Sequence, residues 1–408
     1  MLLSHQNTRF LCHNCGPMRR MRESALKRAA LAAAALTVVA LVVSALLWKR
    51  HLAPLLPWAD EIRAYQPREL VRGGNQPLAP RVAPQAEQLD GAALERAAAY
   101  AAEHASRALI VSRHDHIVFE RYWKGTSFDT LADAQSFTRL LVALAAGAAM
   151  SHRLIGWPDE PVNAFLGEWG HDPRGAITVR NLMQMSSGLM PAPQGPAGDP
   201  TVAALSAPLV RTPGLARLDQ AADPQLLALV IERATHERYA SYLSQAVWRR
   251  VGAADAWLWL ERPGGAAHAD CCMIARQGDW IRIGELLLKD GNYRGEEVIR
   301  PGWVTLMRAP SKADPGYGAY VQLATHTTAP GGEPYVARDV FVVEGTGGNR
   351  LWLVPSLQMA ILCTGAPAGR DAAWDDARIP NLIIRAARDF VPAAARPGTG
   401  VSALVPGH

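Results

Sequence analysis

The chain has 408 residues, 49% of them hydrophobic, and a formal net charge of +5. That length and apolar content can build one large buried core or two smaller ones. Six basic residues against Glu23 within positions 1–28 already account for the surplus charge, so the remainder has no basic excess to line a phosphate backbone and nucleic acid is not an expected partner.

The first element is the run 29–48, AALAAAALTVVALVVSALLW, twenty residues without a charge. As a helix rising 1.5 Å per residue it is about 30 Å long, enough to cross a bilayer. Basic residues are denser before the run than after it, which places residues 1–28 in the cytoplasm. The run is longer than the apolar part of a cleaved signal, and no small-x-small cleavage site follows it. The expectation is therefore one uncleaved N-terminal transmembrane helix at 29–48. It would cross a bacterial-type inner membrane once and leave the main domain periplasmic or extracellular. Positions 49–88, rich in Pro, Arg and Gly, read as a linker.

The folded domain is expected over 89–392. Residues 94–104 suit a helix, and 108–112 and 116–123 are strand-like runs joined by the polar turn 113–115, a β-hairpin. Helical periodicity follows at 139–150, 179–185, 224–234, 239–250 and 278–288. Strand-like runs return at 317–324, 340–344, 350–354 and 359–363, and 379–390 closes as a helix. This pattern predicts an α+β fold, an antiparallel sheet built from both ends of the chain and flanked by helices, with a mostly helical subdomain inserted at about 137–262. Residues 393–408 read as an irregular tail.

The five cysteines form no framework. Cys12-His13-Asn14-Cys15 has the spacing of half a zinc site but no second pair, so no metal is predicted. Cys363 could pair with Cys271 or Cys272, or all three could be buried thiols. His268 and Asp270 precede the cysteine pair; a histidine there could serve as a base, though a structural histidine is the simpler reading. Of the tryptophans at 248, 257, 259, 280, 303, 352 and 374, most sit within periodic apolar segments, and core packing is their expected role.

Several longer segments carry more information than any single motif: ALIVSRHDHIVFERYW (108–123), QSFTRLLVALAAG (135–147), WPDEPVNAF (157–165), AITVRNLMQMSSGL (176–189), DPQLLALVIERAT (223–235), ARQGDWIRIGELLLKDGNYRG (275–295) and EGTGGNRLWLVPS (344–356). In this order they resemble the β-lactamase-related serine hydrolases, the class C β-lactamase and penicillin-binding-protein-like family, especially its esterase and 6-aminohexanoate-dimer hydrolase branch. The resemblance covers roughly residues 105–390.

The resemblance implies hydrolysis of an ester, amide or small peptide through an acyl-enzyme on a serine at the start of a helix, where the dipole and backbone amides favour developing negative charge. Ser136 holds that position; a helix cap is its alternative role. The family lysine, three residues on, is replaced by Arg139, and a guanidinium cannot act as a base in a protein. The family tyrosine is replaced by Asp219, with no tyrosine between Tyr122 and Tyr239. The strand-edge element aligns with Gly345, Thr346, Gly347 and Gly348 and lacks its basic residue; it either approaches the substrate or merely turns the chain. No cofactor is implied. Two functions follow from these departures. The chain is either a hydrolase acting through Ser136 with an unidentified base, or a pseudo-hydrolase that binds a peptide, cell-wall fragment or partner protein, with Arg139 and Asp219 paired across the former site.

Overall fold

The protein is described here by a computed structural model covering residue 37 and residues 66–191, 198–325, 332–345, 348–365 and 374–392. Among the described residues no helix is long and apolar enough to cross a membrane. The run 29–48 lies outside them apart from Thr37, as do Cys12, Cys15, Thr346, Gly347 and the tail 393–408.

In chain order the domain runs β1 (Arg68–Val71), α1 (Gly91–Glu103), β2 (Ala108–Arg113), β3 (His116–Tyr122), β4 (Leu131–Asp133) and α2 (Thr138–Ser151). The middle holds α3 (Val179–Met183), α4 (Pro200–Ser206), α5 (Ala222–Thr235) and α6 (Tyr239–Leu243). There follow β5 (Ala256–Trp259), β6 (Met273–Arg276), α7 (Trp280–Leu288), the small hairpin β7 (Asn292–Tyr293) and β8 (Glu296–Glu297), and α8 (Trp303–Met307). The chain closes with β9 (Gln322–Leu323), β10 (Phe341–Glu344), β11 (Arg350–Val354), β12 (Met359–Thr364) and α9 (Arg378–Ile384).

The main sheet has the order β3-β2-β12-β11-β10-β9 and its pairs are antiparallel. Strands from the two ends of the chain meet at β2–β12, where Ile110 faces Leu362 across the ladder. Successive side chains of a strand point to opposite faces. Ile110, Leu351, Leu353, Ala360 and Leu362 therefore enter the large core beneath α2 and α7. Their neighbours Leu109, Val111, Trp352, Ile361 and Cys363 pack on the other face with α1 and α9. Both faces are covered, which is why these strands read as near-continuous apolar runs in the sequence. Gly284 lets α7 approach closely, since a Cβ there would stand 3.0 Å from Cβ of Ala360 and 3.3 Å from Leu353.

Several sequence expectations are corrected. There is a second sheet, β1-β5-β6-β4, so Ala256–Trp259, at the end of the expected helical insertion, is instead a strand paired on both sides, with β1 and β6. The linker also ends earlier than expected. Arg68–Val71 pairs with Ala256–Trp259, and Gly73 N–H donates to Asp255 at 2.8 Å; the Pro- and Gly-rich composition hid a four-residue strand. The expected strand over 317–324 shrinks to Gln322–Leu323, because Gly318 N–H donates to Val321 O and Ala319 N–H to Met307 O, which spends those groups on a turn. The expected helix over 239–250 is α6 continued by a wider π-type turn at Ser244–Trp248. Cys271 and Cys272 are bonded to each other, with Cys363 a buried free thiol. Of the two expectations, a bond from Cys363 to this pair or three buried thiols, neither holds in full: Cys363 is a buried thiol, but it lies in the other core, where it donates to Ser106 Oγ.

Candidate active site

Ser136 lies in a single 3-10 turn, Gln135–Phe137, that runs directly into α2. Gln135 has φ +49°, a left-handed conformation that costs a residue with a side chain roughly 1–2 kcal/mol. The surroundings hold the turn there. Gln135 N–H donates to Asp133 Oδ1 at 2.8 Å, and Ala134 N–H donates to Met273 O at 2.8 Å. Met273 N–H donates in turn to Thr138 Oγ1 at 3.2 Å, and Phe137 meets Trp280 edge to face at 5.1 Å. On the other side Gly345, just past β10, packs closely: a Cβ would lie 3.2 Å from Phe137 and 3.1 Å from Asn349, so either neighbour would have to give way by a few tenths of an ångström. The end of β10 thereby borders the serine turn.

Arg139, one helical turn on from Ser136, is 6% exposed. Its Nη1 donates to Asp219 Oδ1 at 2.7 Å and its Nε donates to Asp270 O at 3.2 Å. Burial alone would pull its pKa down, but Asp219 at contact distance and Asp270 beyond it hold the guanidinium above its ordinary value. It stays charged at every accessible pH. Asp219 faces outward, with 58% of its side chain exposed, and Arg217 approaches its second oxygen at 4.0 Å while donating to Asp314 at 2.8 Å.

Ser136, Arg139, Arg217 and Asp219 share a cleft of about 220 Å³ with Tyr317, Tyr320, Gln322, Val342 and Glu344. Burial pushes the Tyr317 phenol well up, with Arg139 pulling the other way and Asp219 adding to the rise. Arg217 covers its ring at 4.4 Å. Tyr320 is also driven up by burial, and its hydroxyl donates to Leu182 O at 2.9 Å. Gln322 Nε2 donates to Glu344, whose carboxylate also meets Arg350 at 2.5 Å. Behind the site, Asp223 is wholly buried, accepts from Ser187 Oγ at 2.5 Å and from Gln220 at 2.9 Å, and is pushed up to about 7 by that burial.

The fold thus brings three sequence-selected residues, Ser136, Arg139 and Asp219, into one cleft and sets Gly345 against the serine turn. Gly348, at φ +81°, donates its N–H back to Gly345 O, while Thr346 and Gly347 lie outside the described residues. Sequence reasoning missed Arg217, Tyr317, Tyr320, Gln322 and Glu344, none of which sits in a motif of its own. The double glycine pattern around Tyr317 was the available signal, and it was read as a strand. His268 is buried and stacks on Trp259 at 4.4 Å, and it is not among the residues lining the cleft. It comes together with Asp270 and Cys271, their donor atoms lying within 4.8 Å of one another; the Cys271 sulfur is committed to the disulfide, which leaves two donors.

The β-lactamase family model matches residues 92–379. A stretch of 150 residues is 28% identical to the 6-aminohexanoate-dimer hydrolase of Paenarthrobacter ureafaciens, covering 35% of this chain and 37% of that protein. The chain thus matches little more than a third of that relative's length. Among solved structures, a candidate 6-aminohexanoate-dimer hydrolase from Bacillus anthracis superposes with a TM-score of 0.65 at 16% identity, over 82% of this chain and 93% of its own. A penicillin-binding protein homologue from Caulobacter crescentus gives 0.57 at 15%, over 77% and 98%. A family VIII carboxylesterase gives 0.59 at 15%, over 78% and 100%. At these identities the superpositions speak for the fold alone.

Proposed function

The chain belongs to the β-lactamase family, whose members are serine hydrolases, and we propose that it binds an ester, amide or small peptide in the Ser136 cleft without the proton transfers that turn such a ligand over quickly. The observation that carries this reading is the 2.7 Å contact between Arg139 Nη1 and Asp219 Oδ1. Acylation needs a group to take the proton from Ser136 Oγ as it attacks a carbonyl carbon. Arg139 has no lone pair to offer, and Asp219 is turned toward two guanidiniums. Tyr317 is held in its neutral phenol form by burial, so it can donate a hydrogen bond but does not serve as a ready base. What remains suits recognition: a serine hydroxyl, a fixed cation and two phenols around a concave site.

A second reading, slow hydrolysis through an acyl-enzyme on Ser136, is favoured by the strained Gln135 and the helix start behind the serine. Strain of this kind is retained when the surrounding structure over-determines it, often at functional sites. One experiment separates the two. The full-length protein, shown by circular dichroism to be folded, is treated with a fluorophosphonate probe beside Ser136→Ala, and calorimetric binding is measured for a panel of small esters, amides and peptides. Binding without labelling is the expected result. Labelling that disappears in Ser136→Ala would establish an activated serine and the hydrolase reading. No binding and no labelling would dismiss both.

The apolar run 29–48 supports a further part of the reading, that the domain is carried on the outer face of an inner membrane by one N-terminal anchor. Resistance to alkaline carbonate extraction, with the domain open to protease added from the periplasmic side, is expected; a freely extracted protein would reject it.

A further inference from the structure

We propose that the Cys271–Cys272 disulfide is a thiol–disulfide exchange site whose redox state sets the position of Arg139. The bond joins adjacent residues with Cα atoms 3.7 Å apart. Cys272 is held at φ +73°, a left-handed conformation unusual for any residue other than glycine. The pair sits between two anchors on the residues that flank the serine turn, Ala134 before it and the first turn of α2 after it. Upstream, Asp270 O accepts from Arg139 Nε at 3.2 Å. Downstream, Met273 N–H donates to Thr138 Oγ1 at 3.2 Å, and Met273 O accepts from Ala134 N–H at 2.8 Å. The two residues that contain the bond thus fix the span between the carbonyl that holds Arg139 and the strand end that holds the turn. With the bond broken, Cys272 is free to return to negative φ, and the Asp270 carbonyl swings away from the guanidinium.

The chemistry is an exchange with a dithiol reductant. Its thiolate attacks Sγ of Cys271, the partly exposed member of the pair, and the Cys271–Cys272 bond breaks as Cys272 leaves as a thiolate and takes up a proton. The second thiol of the reductant then displaces Cys271 from the mixed disulfide. Two electrons and two protons have passed to the protein, and the reductant ends as a disulfide. Cys363 is an internal control: fully buried, its thiol is pushed up to about 11 by that burial and is kept from reacting.

The test uses the full-length protein with and without dithiothreitol, with EDTA present because reduction frees a sulfur beside His268 and Asp270. Phenylglyoxal modification of Arg139 is followed by peptide mass spectrometry, and amide exchange is read at Ala134 and Met273. Reduction is expected to speed Arg139 modification and both amides at least tenfold, while Ile110 and Leu362 in the central strands keep their protection and Cys363 stays unalkylated. Cys271→Ser with Cys272→Ser should show the reduced behaviour without reductant. Unchanged Arg139 and amide rates in the two redox states would overturn the proposal, as would a pair that resists reduction in the folded protein. If the double variant fails to fold, the wild-type comparison decides alone. No readout requires a ligand, so the outcome is independent of whether the cleft binds or hydrolyses.

Discussion

Arg139 and Asp219 close on one another at 2.7 Å, one from the first turn of α2 and the other from the loop ahead of α5. The resemblance assigns a lysine base and a tyrosine relay to these two positions, and on that proposed reading the ion pair takes the place of the proton-transfer groups. Replacing both together, Arg139→Lys with Asp219→Tyr, is expected to raise Ser136-dependent hydrolysis of p-nitrophenyl acetate by about 10²-fold or more, within the range general acid–base groups contribute. Each single change should stay at background, because a lysine facing Asp219 remains paired and a tyrosine facing Arg139 gains no base. A folded double variant with no added turnover would place the deficiency elsewhere, the strand-edge segment after β10 being the first suspect.

The same pair also carries stability. Asp219→Ala leaves the Arg139 guanidinium, whose side chain is only 7% exposed, with the Asp270 carbonyl as its remaining close acceptor. Breaking a fully buried pair from one side costs about 3–5 kcal/mol. Asp219 is more than half exposed, and water can reach the vacated position, so about 1–2 kcal/mol is expected here. Urea unfolding followed by circular dichroism measures it. A loss below about 0.3 kcal/mol would mean that solvent already screens the pair.

Gly284 makes a prediction about packing. A Cβ at this position of α7 would approach Cβ of Ala360 at 3.0 Å and both Leu351 and Leu353 at under 3.5 Å. Gly284→Val should therefore force helix and sheet apart and destabilise the domain by about 1–3 kcal/mol despite the better helix propensity of the new residue. Gly295→Ala, at a turn with open space around it but a φ of +87°, separates backbone strain from overpacking. It should cost about 1 kcal/mol through conformation alone. A Gly284→Val loss below about 0.5 kcal/mol would argue against tight packing at that position.

The main sheet was legible in the sequence because its strands are covered on both faces. Runs such as 351–354 and 359–363 stay apolar throughout; the register between β2 and β12 comes only from the fold. The helices α1, α2 and α5 were equally readable from their periodicity. The second sheet was not. Strand β1 has four residues, one of them basic and one acidic, and its partner β5 follows a helix with which its tryptophans merge in any apolar profile. In the site, Ser136, Arg139 and Asp219 were found because each stands at a fixed offset within a recognisable segment. Arg217, Tyr317 and Glu344 reach the cleft from separate loops and a strand end, and only the tertiary fold brings them together. The bond between Cys271 and Cys272 was missed because pairing was sought at a distance.

Asp223 supplies the pH dependence. Its carboxyl has no exposure, and burial pushes it up to about 7, against the hydrogen bonds from Ser187 and the pull of Arg139 that work in the other direction. In the unfolded chain an aspartate titrates near 3.9. Below that value both states are protonated and the group does not affect stability. As pH rises from about 4 toward 7 the unfolded state ionises while the folded state resists, so stability is lost across that interval and levels off above it. Glu285, on α7, is likewise pushed up to about 7 by burial and adds to the same slope. The melting temperature of the wild type is therefore expected to fall between about pH 4 and pH 7 and to level off above that. Asp223→Asn has no proton to lose and can still accept from Ser187 Oγ, so it should flatten a substantial part of that fall. Glu285→Gln should flatten much of the rest. A wild type with no such fall, or an Asp223→Asn variant that keeps the whole of it, would show that the buried carboxyl behind the cleft does not exchange its proton between folded and unfolded chains in this range.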